Sequence, residues 1–140
     1  MTMPMHPDGS AAPVAWTVSR AELVEPGCAV LGLEGELDLA CCEAVTELLR
    51  GLEAAAPARV VVDLRAVTFL DLSALRILVA AHHRATLDGR ALVVVRPVPP
   101  GDCLFEMLAG DLPLDVVRRP PAPVDGRPAA ASSPPPARRG

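Results

Sequence analysis

The chain opens with two segments in which apolar and polar residues alternate. These segments, VAWTVS (14–19) and CAVLGLEGELD (28–38), have the period of two that is typical of half-buried strands. The Glu25-Pro26-Gly27 sequence between them is a turn signal. We therefore predict an antiparallel hairpin, and the leucines on one face of its second strand are Leu31, Leu33 and Leu37.

From about residue 40 to residue 55 the spacing of the apolar residues becomes helical. They recur every three or four positions, at Cys41, Val45, Leu48, Leu49 and Leu52, while most charged residues fall on the opposite face. Asp38 stands directly before this stretch, where its carboxylate can cap a helix. Pro57 follows the stretch and closes the predicted helix.

The second half of the chain repeats the change from strand to helix. ARVVVDLRAVTFL (58–70) contains a run of β-branched residues that is typical of a strand buried on both faces. A helix is predicted from about Leu72 to Gly89, where glycine is a C-terminal stop. A strand, a short helix and a last strand follow at 91–96, 103–110 and 114–119. This alternation predicts an α/β domain over residues 14–119, with about five strands and three to four helices.

The two ends of the chain lack such a pattern. Residues 1–13 and residues 120–140 offer no apolar periodicity that could be buried. The second of these segments, PPAPVDGRPAAASSPPPARRG, consists mostly of Pro, Ala, Gly and Ser. Both ends are therefore predicted to be disordered, the second as a tail or tether.

Composition excludes several classes of partner. The formal net charge is −4 and the aromatic content 2%, so the chain lacks both the clustered positive charge and the stacking side chains typical of nucleic-acid binding. No apolar run approaches the roughly 20 residues needed to span a bilayer, which predicts no membrane insertion. The first residues have neither the basic head nor the apolar core of a signal peptide, so we expect a cytoplasmic protein.

No pattern of chemically active residues predicts an enzyme. The four cysteines have no metal-ligand spacing and are expected to be reduced, buried apolar side chains. Phosphate-binding and nucleophile-elbow motifs are absent. Acidic residues that could supply an acid–base pair stand near strand ends, where capping or solvation is the commoner role; they are Glu34, Glu36, Asp38, Asp63 and Asp71. We therefore predict no catalytic residue, no cofactor and no metal.

One serine stands at the junction of a strand and a helix, in the stretch TFLDLSALRIL (68–78). Ser73 lacks a histidine close in sequence that could activate it as a nucleophile. At a helix start, a serine can accept a hydrogen bond from an exposed N–H group, which is a capping role. The same position also suits a phosphate, because unpaired amides and the helix dipole favour negative charge. The residues alone leave both roles open.

Three segments of the chain together resemble a STAS domain. They are LEGELD before the first helix, VVVDLRAVTFLDLSALRIL, and the ALVVV strand. More narrowly, the chain is similar to the bacterial anti-sigma factor antagonists, and the resemblance extends over roughly residues 14–119. It implies a β-α superhelix around a mixed sheet.

The resemblance also implies a function. An antagonist binds an anti-sigma factor, which is a serine kinase, and so frees a sigma factor for transcription. The kinase phosphorylates the serine that matches Ser73, and a phosphatase is a further implied partner. Asp38 is expected near that serine, and the implied partner-binding residues are Asp38, Asp71, Leu72, Ala74 and Leu75.

The sequence departs from the family pattern next to the serine. The family commonly has Asp-Ser-Ser-Gly-Leu, whereas this chain has Asp71-Leu72-Ser73-Ala74-Leu75. The Cβ of alanine narrows the close approach to the backbone that glycine would allow. The alternative prediction is a STAS scaffold subunit of a transporter or larger signalling assembly that is not phosphorylated. No residue pattern supports a third alternative, a nucleotide or lipid sensor.

Overall fold

A computed structural model of the chain describes residues 15–25, 27–108, 110–121 and Val124. Its strands are β1 (Trp16–Glu25), β2 (Cys28–Leu37), β3 (Arg59–Leu70), β4 (Ala91–Val95) and β5 (Asp115–Val117). Its helices are α1 (Cys42–Glu53), α2 (Leu72–Leu87) and α3 (Cys103–Met107), and a 3-10 helix (Leu39–Cys41) leads directly into α1.

The five strands form one mixed sheet in the order β1-β2-β3-β4-β5. β1 and β2 are an antiparallel hairpin, while β2, β3, β4 and β5 run parallel. This confirms the predicted α/β class and hairpin. Within the described part of the chain, no helix is long and apolar enough to cross a membrane.

The main core lies between one face of the sheet and the helices. Alternate residues of β2, β3 and β4 point into it, and α1, α2 and α3 contribute buried side chains from the other side. The three leucines predicted for this face of β2 are all buried there. The first predicted helix also presents the expected face, since Val45 and Leu49 are buried and Leu48 and Leu52 are partly buried.

A second, smaller apolar cluster covers part of the opposite face of the sheet. Its buried members are Cys28, Val30, Val61, Val95 and Val124. Val124 is fully buried, although the pattern of the sequence placed it in a tail with nothing to pack. That prediction is wrong at Val124, because an isolated valine among prolines has no periodicity that would reveal its burial. The other residues predicted to be disordered lie mostly outside the described residues.

β1 is longer than the sequence predicted. It extends to Glu25, whereas the alternation indicated a strand only as far as Ser19. β1 lies at the edge of the sheet, and most of its side chains are exposed, so polar residues such as Arg20 and Glu22 occupy it without a burial cost. Apolar patterning is therefore weak over the second half of this strand.

The helices end near the glycine and proline residues that predicted their ends. α2 begins at Leu72 as predicted and ends at Leu87, and Gly89 follows with a positive φ of 71°. α1 ends at Glu53, a few residues before Pro57. α3 and β5 are shorter than predicted.

Val124→Ala tests whether the described part of the tail stabilises the domain. Removing two buried methyl groups should cost about 1.6 kcal/mol, which lowers Tm by roughly 5 °C in a domain of this size. A chain ending at Arg119 should lose at least as much. Thermal unfolding followed by circular dichroism measures both effects. Val98→Ala is the matched control, because Val98 is exposed and its substitution should leave Tm unchanged. Equal melting of all variants would contradict a stabilising role for Val124.

Candidate functional site

The site is built where β2 and β3 end side by side. The two strands are parallel and remain paired up to Leu37 and Leu70, so both chains leave the sheet at the same edge. The N–H group of Asp71 donates to the carbonyl oxygen of Leu37 at 3.0 Å, which ties the two exits together. Asp38 and Asp71 therefore begin two neighbouring helical segments, and the 3-10 helix contacts α2.

The glycine of the GELD stretch sets the path of β2 towards this edge. Gly35 has a φ of 94°, and a Cβ at this position would lie 2.2 Å from the carbonyl oxygen of Ala15. The next N–H group, that of Glu36, donates to the same Ala15 oxygen at 2.8 Å. Only glycine combines this backbone conformation with such a close approach. Gly35 thereby permits the irregular register that precedes Asp38.

Each aspartate caps the helical segment that follows it. Oδ1 of Asp38 accepts a hydrogen bond from the N–H of Ala40 at 3.0 Å, as its position before the helix predicted. Oδ1 of Asp71 accepts from the N–H of Ala74, also at 3.0 Å. The capping role considered for Ser73 is therefore wrong. Ser73 is the second residue of α2, and Asp71 occupies the capping position.

Ser73 is half-buried, and its hydroxyl has no hydrogen bond to any described residue. The first helical hydrogen bond of α2 runs from the N–H of Leu75 to the carbonyl of Asp71. The N–H groups of Leu72 and Ser73 come before it and have no helical partner. Arg76 lies three residues further along α2 and is exposed, so it neighbours Ser73 on the helix surface.

Large apolar side chains are exposed on the segments that leave the sheet at this edge. Leu39 is 71% exposed, Phe69 50% and Leu72 55%, although all three belong to residue types that are usually buried. They come from the starts of two adjacent helical segments and from the end of β3. We call Asp38, Leu39, Phe69, Leu72 and Ser73 together the serine surface. The sequence pattern had not indicated Leu39 and Phe69, because an apolar residue near a strand end looks like a core residue.

Two of the predicted partner-binding residues are not on this surface. Ala74 and Leu75 are buried in the main core beneath the first turn of α2. In the described domain these two side chains are therefore not accessible to a partner. The methyl group of Ala74 points into the core. Compared with the glycine of the family motif, it therefore does not narrow access to the serine from outside. Among the predicted contacts, Asp38, Asp71 and Leu72 remain at the edge of the sheet.

Two adjacent cysteines fix the start of α1. The thiols of Cys41 and Cys42 both donate to the carbonyl of Asp38, at 3.1 and 3.5 Å. Burial raises the pKa of both thiols, so both stay neutral at pH 7. Cys28 and Cys41 are buried as expected, whereas Cys103 is exposed and donates to the carbonyl of Pro100.

Of the acidic residues considered for an acid–base pair, Glu34 and Glu36 are exposed on β2, and Asp63 is paired with an arginine. Asp63 accepts two side-chain hydrogen bonds from Arg65, at 3.0 and 2.8 Å, and one from the Arg65 backbone N–H at 3.1 Å. Burial by itself would raise the pKa of Asp63, but these hydrogen bonds and the positive charge of Arg65 outweigh burial and lower it. Asp63 therefore stays ionised as a structural ion pair, while Asp38 and Asp71 cap helices.

Several solved structures are similar to this chain in fold. An anti-sigma factor antagonist from Mycobacterium paratuberculosis is 23% identical, with a TM-score of 0.62 over 81% of this chain and 89% of that one. The anti-sigma factor antagonist SpoIIAA in its unphosphorylated form is 18% identical, with a TM-score of 0.55 over 66% of this chain and 79% of that one. A serine-to-glutamate variant of Moorella thermoacetica RsbS is 23% identical, with a TM-score of 0.54 over 71% and 86%.

The sequence itself identifies the family. Residues 23–112, well over half of the chain, match the sequence model of the family described as "Mlab, STAS domain". The chain therefore belongs to the STAS domain family, which confirms the resemblance drawn from its motifs. None of the curated proteins matches the chain.

Asp63→Asn tests the ion pair through its pH dependence. A lowered carboxyl pKa contributes stability above the ordinary Asp value of 3.8, and this contribution is lost as the pH falls below that value towards the folded-state pKa. The variant should be less stable than the parent by about 1–3 kcal/mol at pH 7, and the difference should shrink below about pH 4. Urea unfolding at several pH values measures it. Asp111→Asn at an exposed position is the control. A difference that does not change with pH would contradict the charge-based explanation.

Proposed function

We propose that this chain is a cytoplasmic anti-sigma factor antagonist whose serine surface binds an anti-sigma factor with serine kinase activity. Binding withdraws the anti-sigma factor from its sigma factor, and phosphorylation of Ser73 by the bound kinase ends the interaction. A phosphatase restores it. The observation that carries the proposal is the position of Ser73 on the first turn of α2, next to the exposed Leu72 and at the edge of the sheet where Leu39 and Phe69 are also exposed.

The apolar part of the serine surface supports protein binding. Full burial of a Leu or Phe side chain contributes about 1.5–3 kcal/mol, and Leu39, Phe69 and Leu72 each leave half or more of this contribution unused in the isolated domain. Large exposed apolar side chains that cluster in this way are typical of interaction sites. A partner that covers all three would recover about 3–5 kcal/mol, and further contacts in the interface have to offset the cost of association.

The start of α2 suits a phosphorylation switch. The helix dipole and the N–H groups of Leu72 and Ser73 favour a phosphate there, and Arg76 is placed to pair with it within the same chain. The domain would therefore stay folded when modified. A phosphate adds about 1.5–2 negative charges next to the exposed Leu72 and two residues from Asp71. Desolvation of this charge would weaken a contact that depends on apolar burial.

The structural relatives are consistent with this proposal. Two of the solved structures are named as anti-sigma factor antagonists, and one of them is described in its unphosphorylated form. With identities below 25% they establish the fold, and their functions enter here as support for the proposal.

A constitutive scaffold subunit is the second candidate, and one observation favours it. Leu72 stands where the family commonly has a first serine, and it makes the serine surface more apolar. A surface of this kind can bind a transporter or signalling subunit without any switch. The two candidates differ in whether charge at position 73 changes affinity.

Three variants at position 73 distinguish a switch from a scaffold. For a switch, Ser73→Ala should bind the partner as tightly as unmodified protein and accept no phosphate from it. Ser73→Asp should remain folded and bind about tenfold more weakly, a loss of about 1.4 kcal/mol, because one carboxylate carries less charge than a phosphate. The partner is first captured from a lysate of the source bacterium and identified by mass spectrometry. Isothermal titration then compares serine, alanine and aspartate at this position.

Ser73→Asn is the matched control for the aspartate, since it has the same shape without the charge. Equal affinities for serine, alanine and aspartate, together with no phosphate on Ser73 after incubation with the partner and ATP, would rule out the switch and leave the scaffold.

Leu72→Ala tests the apolar part of the serine surface separately from the phosphate. Leu72 is more than half exposed, so its truncation should leave Tm nearly unchanged and weaken partner binding about tenfold, a loss of roughly 1–2 kcal/mol. Leu87→Ala is the control at the far end of α2, where leucine is also more than half exposed. If both variants bind like the parent, the partner does not contact the serine surface.

A further inference from the structure

β1 leaves a long edge of the sheet open. It stands at one end of the strand order, and among the described residues no strand pairs with its outer side. β1 has ten residues, whereas β5, at the other edge, has three. An open edge presents N–H and C=O groups in a row, which is the template that another strand needs for pairing.

The side chains of β1 favour such pairing. On the face of the sheet that carries the helices, Val18, Ala21 and Leu23 are exposed, and Leu23 is more than half exposed. Natural sheets commonly protect an edge of this length with charge or a covering segment. Here the charged residues Arg20 and Glu22 lie together on the opposite face, where they pair at 2.7 Å.

The regular part of the edge is short and well defined. Register irregularities occur between Val18 and Arg20 and again between Leu23 and Glu25, so residues 20–23 form the regular stretch. Within it, Ala21 has one positive and one negative residue placed symmetrically on either side. This arrangement is complementary to itself when the direction of the strand is reversed.

We propose that β1 pairs antiparallel with β1 of a second copy of the chain, with Ala21 opposite Ala21. In this register Arg20 of each copy lies opposite Glu22 of the other, which gives two opposite-charge cross-strand pairs related by a two-fold axis. Such pairs stabilise antiparallel strands, whereas like charges directly opposite destabilise them. The two sheets join into one continuous sheet. This proposal does not depend on the proposed function, because β1 contributes no residue to the serine surface.

A contact limited to one edge strand is small, so the dimer is weak. Analytical ultracentrifugation of the full chain, from roughly 5 µM to roughly 500 µM, should detect a monomer–dimer equilibrium in the range expected for small interfaces. In the proposed register, position 20 of each copy faces position 22 of the other. Arg20→Glu therefore places glutamate opposite glutamate twice, and Glu22→Arg places arginine opposite arginine twice. Each variant should therefore dimerise about tenfold more weakly than the parent.

Mixing the two single variants is the decisive measurement. In the mixed dimer the introduced glutamate of one variant would face the introduced arginine of the other, and the two unchanged residues, Glu22 and Arg20, would also face each other. The mixed dimer therefore recovers both opposite-charge pairs. Within each separate chain the internal Arg20–Glu22 pair stays broken, so recovery cannot come from restored folding. Native mass spectrometry of the mixture should show the mixed dimer in excess over both self-dimers. Arg50→Glu, the same change of charge on the exposed face of α1, should leave dimerisation unchanged.

Ala21→Cys tests the same register by disulfide cross-linking and does not depend on the folding of the charge variants. Alanine at this position is exposed, and the replacement is small. Mild oxidation should link two chains through position 21, because directly opposed residues in an antiparallel pair bring their Cβ atoms close together. Thr17→Cys is the control, since the proposed register places no position 17 opposite itself.

Three results would overturn the proposal. One is a chain that remains monomeric throughout the concentration range. Another is a dimer that neither the charge variants nor their mixture affects. The third is protection from amide hydrogen exchange along the outer edge of β1 at concentrations where the chain is a monomer, because another part of the same chain would then cover the edge.

Discussion

The parallel pairing of β2 and β3 up to their last residues is the constraint on which the candidate site depends. The hydrogen bond from Asp71 to Leu37 holds the two strand ends at the same level, so two helical segments begin next to each other. Each start has its own aspartate cap, and each leaves an apolar residue exposed beside it. A slip of one residue in this pairing would reverse the faces of β3, which would turn the exposed Phe69 towards the core and the buried Leu70 away from it.

Residues of the first turn of α2 point in two different directions. This explains what each of the two departures from the family motif does. Leu72 and Ser73 point outwards, while Ala74 and Leu75 point into the core. Alanine in place of glycine therefore contributes to packing and to helix propensity, and leucine in place of serine changes the chemistry of the surface. A motif compared letter by letter treats these two replacements alike, although they act on opposite sides of the helix.

Most of the fold was accessible from the sequence, because apolar periodicity and helix caps are local signals. The starts of α1 and α2, the buried leucines of β2 and the valine run of β3 are features of this kind. What could not be predicted depends on contacts between distant segments. Burial of Val124 and the continuation of β1 past Ser19 depend on which face or edge the chain meets in space. Exposure of Phe69 is another example, since its apolar side chain at a strand end has the pattern of a core residue.

The burial of Val124 against β2 also has a consequence for how the domain assembles during synthesis. Val124 packs with Cys28 and Val30, which are separated from it by nearly the whole length of the described chain. Contacts of such long sequence separation carry a large loop-closure entropy and form late in folding. While the ribosome is still adding the C-terminal residues, the hairpin and the helical face can already associate, but this patch of valines stays open to solvent. The nascent domain therefore passes through a stage in which part of this face of the sheet is exposed, and Val124 completes its cover.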